Sequence, residues 1–480
     1  METKSSSNAA AAPAVITQRE QAMPGARGAL ALLLCINLFN YIDRQILSAV
    51  VPNIKTSFFG AQLAGAAEPS ALNNLLGWCQ QHLGFKPENA LIGVLSMAFM
   101  VCYMIGAPVF GRLAERYSRW LLIGIGVSLW SLASSGSGLA LSFGMLLLTR
   151  CAVGVGEAAY GPVAPALLSD YYSVKIRGRI LAAFYVAIPV GSALGYVIGE
   201  QVAKSSIDQW GAAVLGWQAE SWRWAFYLVM PPGLLLGFWA FFLREPPKGQ
   251  ADATGAVKVL SARWRDYLLF LKTPSFVYCT LGMAAMTFAI GGIGFWMPYY
   301  LENLPNPPKS PVTIFGGITV VAGLLATILG GWAGDKLRTR FPGSYFLVSG
   351  TAMLCGLPVF LAALLAPYPW IWIFIFLSCF CLFFNTGPTN TILANVTHPA
   401  IRAAAFALNI LIIHLLGDVI SPVIIGVLSD KYNIKAAFLT VGLMFLISGV
   451  LWLRGARHLA RDTDLAVSRF QAWHGKNKGL

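Results

Sequence analysis

Residues 111–119 read GRLAERYSR, and residues 331–339 read GWAGDKLRT. Laid over one another, Gly111 falls on Gly331, Glu115 on Asp335 and Arg116 on Lys336, at a constant offset of 220 residues. A glycine, an acid and a base kept in fixed order at that distance point to an internal duplication of a large unit. A shorter echo, Lys175-Ile-Arg177 against Ala400-Ile-Arg402, supports the same division.

Hydropathy shows what was duplicated. Of the 480 residues, 57% are hydrophobic and 11% charged, with a mean hydropathy of +0.65. A soluble globular chain carries about 25% charged residues, and about 20 apolar residues suffice to cross a bilayer as a helix. Twelve such runs lie at 28–51, 90–110, 120–140, 143–169, 179–200, 223–243, 275–301, 312–333, 344–366, 369–396, 402–427 and 436–453, numbered here as spans 1 to 12. The first loop motif follows span 2 and the second follows span 8, as two six-helix halves require. The expected fold is an all-α membrane protein with twelve transmembrane helices in two pseudo-symmetric six-helix bundles. Its parts are an N-tail at 1–27, a first bundle at 28–244, a central loop at 245–274, a second bundle at 275–455 and a C-tail at 456–480. Within the central loop, RWRDYLLFLK (263–272) suits an amphipathic helix on the membrane surface.

With the N-terminus in the cytoplasm, the loops and tails of that side hold 25 Lys and Arg, against 7 on the other side. Such an excess marks the cytoplasmic side, so both tails are expected there. The formal net charge of +14 is mostly this asymmetry. The basic residues are scattered through short loops without a contiguous patch, which argues against a nucleic-acid partner. Seven of the eight cysteines (Cys35, Cys102, Cys151, Cys279, Cys355, Cys379 and Cys381) fall within spans and only Cys79 in a loop, so no disulfide framework is expected. Residues 1–27 lack the apolar core of a signal peptide, and span 1 is expected to direct insertion. The Asn395-Val-Thr397 sequon falls at an inner helix end, out of reach of glycosylation. The expected setting is an integral membrane protein of a bacterial inner membrane.

The doubled loop resembles the inner-gate motif of the major facilitator superfamily, G-x-x-x-D-R-x-x-R, and the resemblance covers all twelve spans. Gly111, Glu115, Arg116 and Arg119, with Gly331, Asp335 and Lys336, are its gate residues. In such a gate the glycine permits close helix approach, the acid caps the next helix, and the bases lock onto the facing bundle. Glu115 stands where the motif has Asp, which lengthens the reach and keeps the charge. The superfamily implies two halves that rock about a midplane site, exposing it to each side in turn.

Ionisable groups inside a bilayer cost roughly 2.5–3.5 kcal/mol even on mild scales, so they face a cavity or a partner. In span 1, Asn37, Asn40, Tyr41, Arg44 and Ser48 share one helical face and would line a polar cavity. Asp43 points about 100° away from Arg44 and is free to engage another helix. Span 4, TRCAVGVGEAAYGP (149–162), places Arg150 and Glu157 two turns apart on one face. Desolvation disfavours a charged carboxylate, making Asp43 and Glu157 candidates for proton uptake, whereas an arginine stays charged and suits phosphate or carboxylate. A static charge network that only fixes helix packing is the competing reading. Span 11, IIHLLGDVISP (412–422), adds His414 and Asp418 at i, i+4, with Gly417 and Pro422 able to soften the helix. Asp418 lies nearer the outer end, as an outer gate or packing contact.

NYIDR, GVGEAAY and HLLGD-xx-SP in spans 1, 4 and 11 together resemble the Spinster branch of the superfamily. That branch moves single-chain amphipathic lipids, including sphingosine phosphates and lysophospholipids, in proton-linked fashion. The resemblance implies that Asp43, Arg44 and Glu157 handle proton and headgroup, that Arg150 partners Glu157, and that His414 is a further proton-linked site.

Asn40, Tyr41, Arg44 and Arg150 are thus the substrate-binding candidates of the first half. In the second, Trp296 of GGIGFWMPYYL (291–301) can flank an acyl chain, and Asn385 and Thr389 of FFNTGPTNT (383–391) can line the cavity. Tyr299 and Tyr300 equally suit an interfacial aromatic belt. The polar residues around Gly387-Pro388 can instead serve a helix break. Residues 73–85 are expected to form an interfacial helix. No HExxH, Walker loop or GxSxG is present, so the chain is expected to be a transporter and neither an enzyme nor an ATP-driven pump. The doubled gate argues against a receptor. The expected function is proton-coupled transport of single-chain amphipathic lipids, by a monomer without cofactor. The alternative is a proton-linked exporter of drugs or carrier of small organic anions, because Arg44 accepts a carboxylate as readily as a phosphate.

Overall fold

The structure, a computed structural model, describes residues 23–63, 71–172, 174–246, 266–398 and 401–476. All regular structure among them is helical. The first half comprises span 1 (Ala26–Ala49), span 2 (Glu88–Arg116), span 3 (Arg119–Gly138), span 4 (Phe143–Ala158, resumed at Val163–Tyr171), span 5 (Val174–Ala203) and span 6 (Ser221–Ala240). The second comprises span 7 (Pro274–Glu302), span 8 (Pro311–Arg338), span 9 (Ser344–Leu365), span 10 (Ile371–Phe383, resumed at Thr386–Asn395), span 11 (Arg402–Ile413, a π-helical turn at His414–Asp418, then Ser421–Lys431) and span 12 (Ile434–Gly455).

Among the described residues, eleven of these helices are long and apolar enough to cross a membrane. Span 6 has the length, since 20 residues rise about 30 Å. Trp222, Arg223, Trp224, Pro231 and Pro232 dilute its apolarity. Protein contacts compensate. Gly233 and Gly237 lay the helix directly on Ser131 and Ser128 of span 3. The Arg223 guanidinium donates to the Gly138 and Ala140 carbonyls at 3.0 and 2.5 Å, covering span 3's open C-terminal end.

The halves meet where span 2 lies on Ser421–Lys431 of span 11 and, equivalently, where span 8 lies on span 5; span 1 also touches span 7. The described chain ends lie at one end of the bundle. Met23 N–H donates to Tyr171 O at 3.2 Å, and the Lys272 ammonium lies over Trp473 at 5.1 Å. This terminal face also carries both copies of the repeated loop, 111–119 and 331–339. The opposite face carries the helices Val51–Leu63, Ala71–Leu83 and Ile207–Leu215. Ala71–Leu83 takes the place expected for an interfacial helix and exposes Leu75, Trp78 and Leu83. Of the central loop, residues 247–265 lie outside the described residues; the short helix Asp266–Leu271 follows. Ala400 also lies outside them, as do the side chains of Lys175 and Arg177.

Candidate functional site

Asp43 and Arg44 leave span 1 in different directions, as adjacent helical residues must. Asp43 is 2% exposed and accepts a hydrogen bond from the Ser134 hydroxyl of span 3. Its second oxygen, Oδ2, has no hydrogen-bond partner among the described residues. Beside it, between spans 1, 3 and 6, lies a cavity with room for about one water molecule, lined by Phe39, Asp43, Trp130, Ser131, Ser134, Val229 and Gly233.

Arg44 turns instead to span 4. Its Nε and Nη2 donate to Glu157 Oε2 at 2.7 and 2.6 Å. Three rings surround the guanidinium: Tyr41 and Phe99 at 5.0 Å and Tyr103 at 5.2 Å. A cation among ring faces gains electrostatically where water is excluded. The Arg44 side chain is 18% exposed and that of Glu157 is 0% exposed, so Arg44 is the member that an incoming molecule meets first. Among the described residues, Glu157 Oε1 meets no well-formed hydrogen bond, with the Asn40 side chain against the carboxylate. Asn40 is buried on the same face of span 1 as Arg44.

Arg150 requires a correction. The resemblance made it the partner of Glu157, but its Nε and Nη2 donate to Ser137 Oγ at 3.1 and 2.6 Å, and its guanidinium lies over Phe226 at 5.2 Å. Seven residues along one helix put about 10 Å of rise between the two groups, while Arg44 faces Glu157 from the neighbouring helix.

The second-half candidates are corrected too. Trp296 is fully buried and donates from Nε1 to Pro422 O at 2.8 Å, joining spans 7 and 11. Asn385 and Thr389 are likewise fully buried. Asn385 Nδ2 donates to Cys381 O and Leu382 O at 2.9 and 3.2 Å, and Thr389 Oγ1 donates to Asn385 O at 2.8 Å. These bonds to backbone carbonyls repair the break in span 10, and Asn385 Oδ1 stays without a hydrogen-bond partner among the described residues. Tyr299 faces Lys55, whose ammonium lies 3.3 Å from its hydroxyl.

His414 Nδ1 lies 2.9 and 3.0 Å from the two Asp418 carboxylate oxygens, so these residues form one pair. They close the π-helical turn, within which Gly417 adopts φ −110° and ψ −106°. Such turns concentrate at functional places in helices.

At the terminal face, Glu115, Arg116, Asp335 and Lys336 are exposed. Among the described residues, nothing stands within 4 Å of a Cβ built on Gly111 or Gly331. Asp335 accepts from the Tyr345 hydroxyl at 2.7 Å, and Lys336 lies over Trp332 at 4.5 Å. Arg119, expected to lock onto the facing bundle, instead grips its own half. It donates to Asp170 at 2.5 Å, and from Nε and backbone N–H to Glu245 at 2.5 and 2.9 Å. Burial alone would push the Glu245 carboxyl up, but the Arg119 hydrogen bonds and charge hold it below its ordinary value.

Phe99, Tyr103, Ser134 and Ser137 were not singled out by sequence reasoning. The aromatic pair at i, i+4 in span 2 was the available signal. Among the described residues, no three His, Cys, Asp or Glu side chains come together as metal ligands.

Spans 1 and 4 thus share one arginine–carboxylate pair inside two halves that carry the repeated loop. Residues 33–417 match the family described as Major Facilitator Superfamily. The chain is 34% identical over 431 residues to Protein spinster homolog 3 of Danio rerio, covering 84% of this chain and 78% of the relative. It is 34% identical over 436 residues to Protein spinster homolog 1 of Homo sapiens, covering 85% and 74%. The chain belongs to the Spinster branch of the major facilitator superfamily. Among solved structures, a bacterial homolog to the human lysosomal transporter Spinster, in an inward-facing and occupied conformation, superposes with a TM-score of 0.75 at 21% identity, over 92% of this chain and 99% of that one. A D-xylose-proton symporter superposes with a TM-score of 0.66 at 17% identity, over 88% and 96%. These two likenesses show the fold. The protein is an integral membrane transporter of Spinster type.

Proposed function

We propose that this Spinster-type transporter moves single-chain lipids with an anionic headgroup, of lysophospholipid or sphingosine-phosphate type, by alternating access coupled to protons. The observation that carries the reading is the Arg44–Glu157 pair, whose arginine is reachable and whose carboxylate is enclosed. An arriving phosphate competes for the guanidinium. Glu157, left without its counter-ion in a buried place, is costly as an anion and takes a proton. Headgroup binding and proton uptake are thereby linked at one arginine. Asp43, with a buried oxygen that has no hydrogen-bond partner among the described residues, is the second proton carrier, and the His414–Asp418 pair a third exchangeable site. The rings around Arg44 shield the headgroup from water. The proton gradient drives the cycle with no cofactor, and a monomer suffices. The Lys and Arg asymmetry supports placing both tails in the cytoplasm, and a bacterial inner membrane as the setting.

The test is transport of a labelled lysophospholipid into liposomes carrying the purified protein, with and without a pH gradient, for wild type, Asp43→Asn and Glu157→Gln. Gradient-stimulated uptake that both variants lose is the expected result. Movement at the rate of empty liposomes sinks the lipid reading. Equal uptake of glycerol phosphate, which has no acyl chain, turns the reading to small organic anions.

A further inference from the structure

At the face opposite the termini, two carboxylates reach from one half to the other. Glu200, in the last turn of span 5, accepts from the backbone N–H of Val312 at 3.3 Å and of Thr313 at 2.6 Å, at the start of span 8. Asp430, in the last turn of span 11, accepts from the backbone N–H of Asn89 at 2.9 Å and of Ala90 at 2.8 Å, at the start of span 2. Exchanging the halves turns span 5 into span 11 and span 8 into span 2, so each contact is the copy of the other.

A carboxylate in a helix's last turn opposes that helix's own dipole, yet it is favoured at the first turn of another. The first N–H groups of a helix also lack partners within it. Both acids are therefore misplaced for their own helices and well placed for the facing half. Each has a basic neighbour. Lys204 lies 2.7 Å from Glu200 and 3.1 Å from Glu302 across the interface. Lys55, whose charge reaches Asp430, donates to Asn89 Oδ1 at 2.7 Å. The backbones come equally close: a Cβ on Gly93 would sit 2.5 Å from Pro422 O, and one on Gly426 2.5 Å from Asn89 O. At the terminal face, by contrast, Arg116 and Lys336 stand exposed.

We propose that Glu200 and Asp430 are twin latches that shut the face opposite the termini and must release when the halves rock. The inference concerns the conformational cycle and stands whatever the cargo. The test uses the full chain in liposomes, its cysteines replaced, with electron–electron distance measurements between spin labels. Pairs at Ser206 and Asn306 and at Lys86 and Tyr432 report the latched face; a pair at the exposed Tyr117 and Arg340 reports the terminal face. Wild type is expected to give one short distance at each latched-face pair. Combining Glu200→Ala with Asp430→Ala is expected to add a longer distance at both and to shorten the Tyr117–Arg340 distance. Asp430→Glu, which keeps the acid, should retain the short distance. Unchanged distances in the double variant overturn the proposal. So does lengthening at one face without shortening at the other, which marks loosening and not rocking.

Discussion

Span 4 and its counterpart span 10 hold equivalent places in the two halves and carry opposite kinds of polar residue. Span 4 presents Arg150 and Glu157, and each reaches a side chain on another helix. Span 10 presents Asn385 and Thr389, and each bonds to its own backbone. Spans 1 and 7 repeat the contrast, with the exposed edge of Arg44 in one and the enclosed Trp296 in the other. Both spans break, span 4 between Ala158 and Val163 and span 10 between Phe383 and Thr386, while the π-helical turn belongs to span 11 of the second half. The first half anchors Arg150 and Glu157 on neighbouring helices, and the second keeps its His414–Asp418 pair within one deformed turn. Buried ions demand fixed partners, and span 4 finds them on spans 1 and 3.

The contrast is broken most severely at Glu157. Glu157→Ala leaves Arg44 without its counter-ion; loss of one partner from a buried pair costs about 3–5 kcal/mol. Transport is expected to fall to background, with a large drop in thermal unfolding temperature. Arg44→Ala combined with Glu157→Ala should cost less than the two single changes summed. Bending is tested at Gly417, where a Cβ would sit 2.9 Å from Thr287 Cβ and 3.0 Å from Phe288 N. Overpacking of this kind costs about 1–3 kcal/mol, so Gly417→Ala should slow transport and leave the preference for anionic headgroups intact. Asn385→Ala sharpens the comparison: losing hydrogen bonds to its own helix costs about 1 kcal/mol, with KM for lipid unchanged. A raised KM would return Asn385 to the cavity.

The smallest effect lies at the rim of the first half. Glu245 is held below the ordinary carboxylate value by Arg119. A depressed folded value contributes stability above the unfolded value of about 4.3, and that contribution disappears as pH falls through the folded value. Glu245→Gln should therefore lower the unfolding temperature slightly at neutral pH and flatten its fall below about pH 4, read by a thermal scan at stepped pH.

The architecture was legible because hydropathy and the 220-residue offset are properties of one dimension. The divergence of Asp43 from Arg44 was legible for the same reason, since helical pitch alone sets it. The partner of Glu157 was not, because register between spans 1 and 4 is set by packing. Asn385 and Thr389 misled because a polar residue beside a helix break reads alike whether it lines a cavity or repairs a backbone. Glu200 and Asp430 were not singled out in the sequence. The overlooked signal was an acid in the last turn of both span 5 and span 11, where each opposes its own helix dipole.

Span 6 carries a consequence for how the chain is made. Its Arg223, its tryptophans and its two prolines make it the span that lipid alone accepts least readily, and its hold on the molecule comes from span 3. Synthesis delivers span 3 to the membrane first, so a receiving surface already waits when Ser221–Ala240 emerges. The order of translation is thus part of the assembly instructions. A circular permutation that places this segment ahead of span 3 would send it to the bilayer with nothing there to receive it.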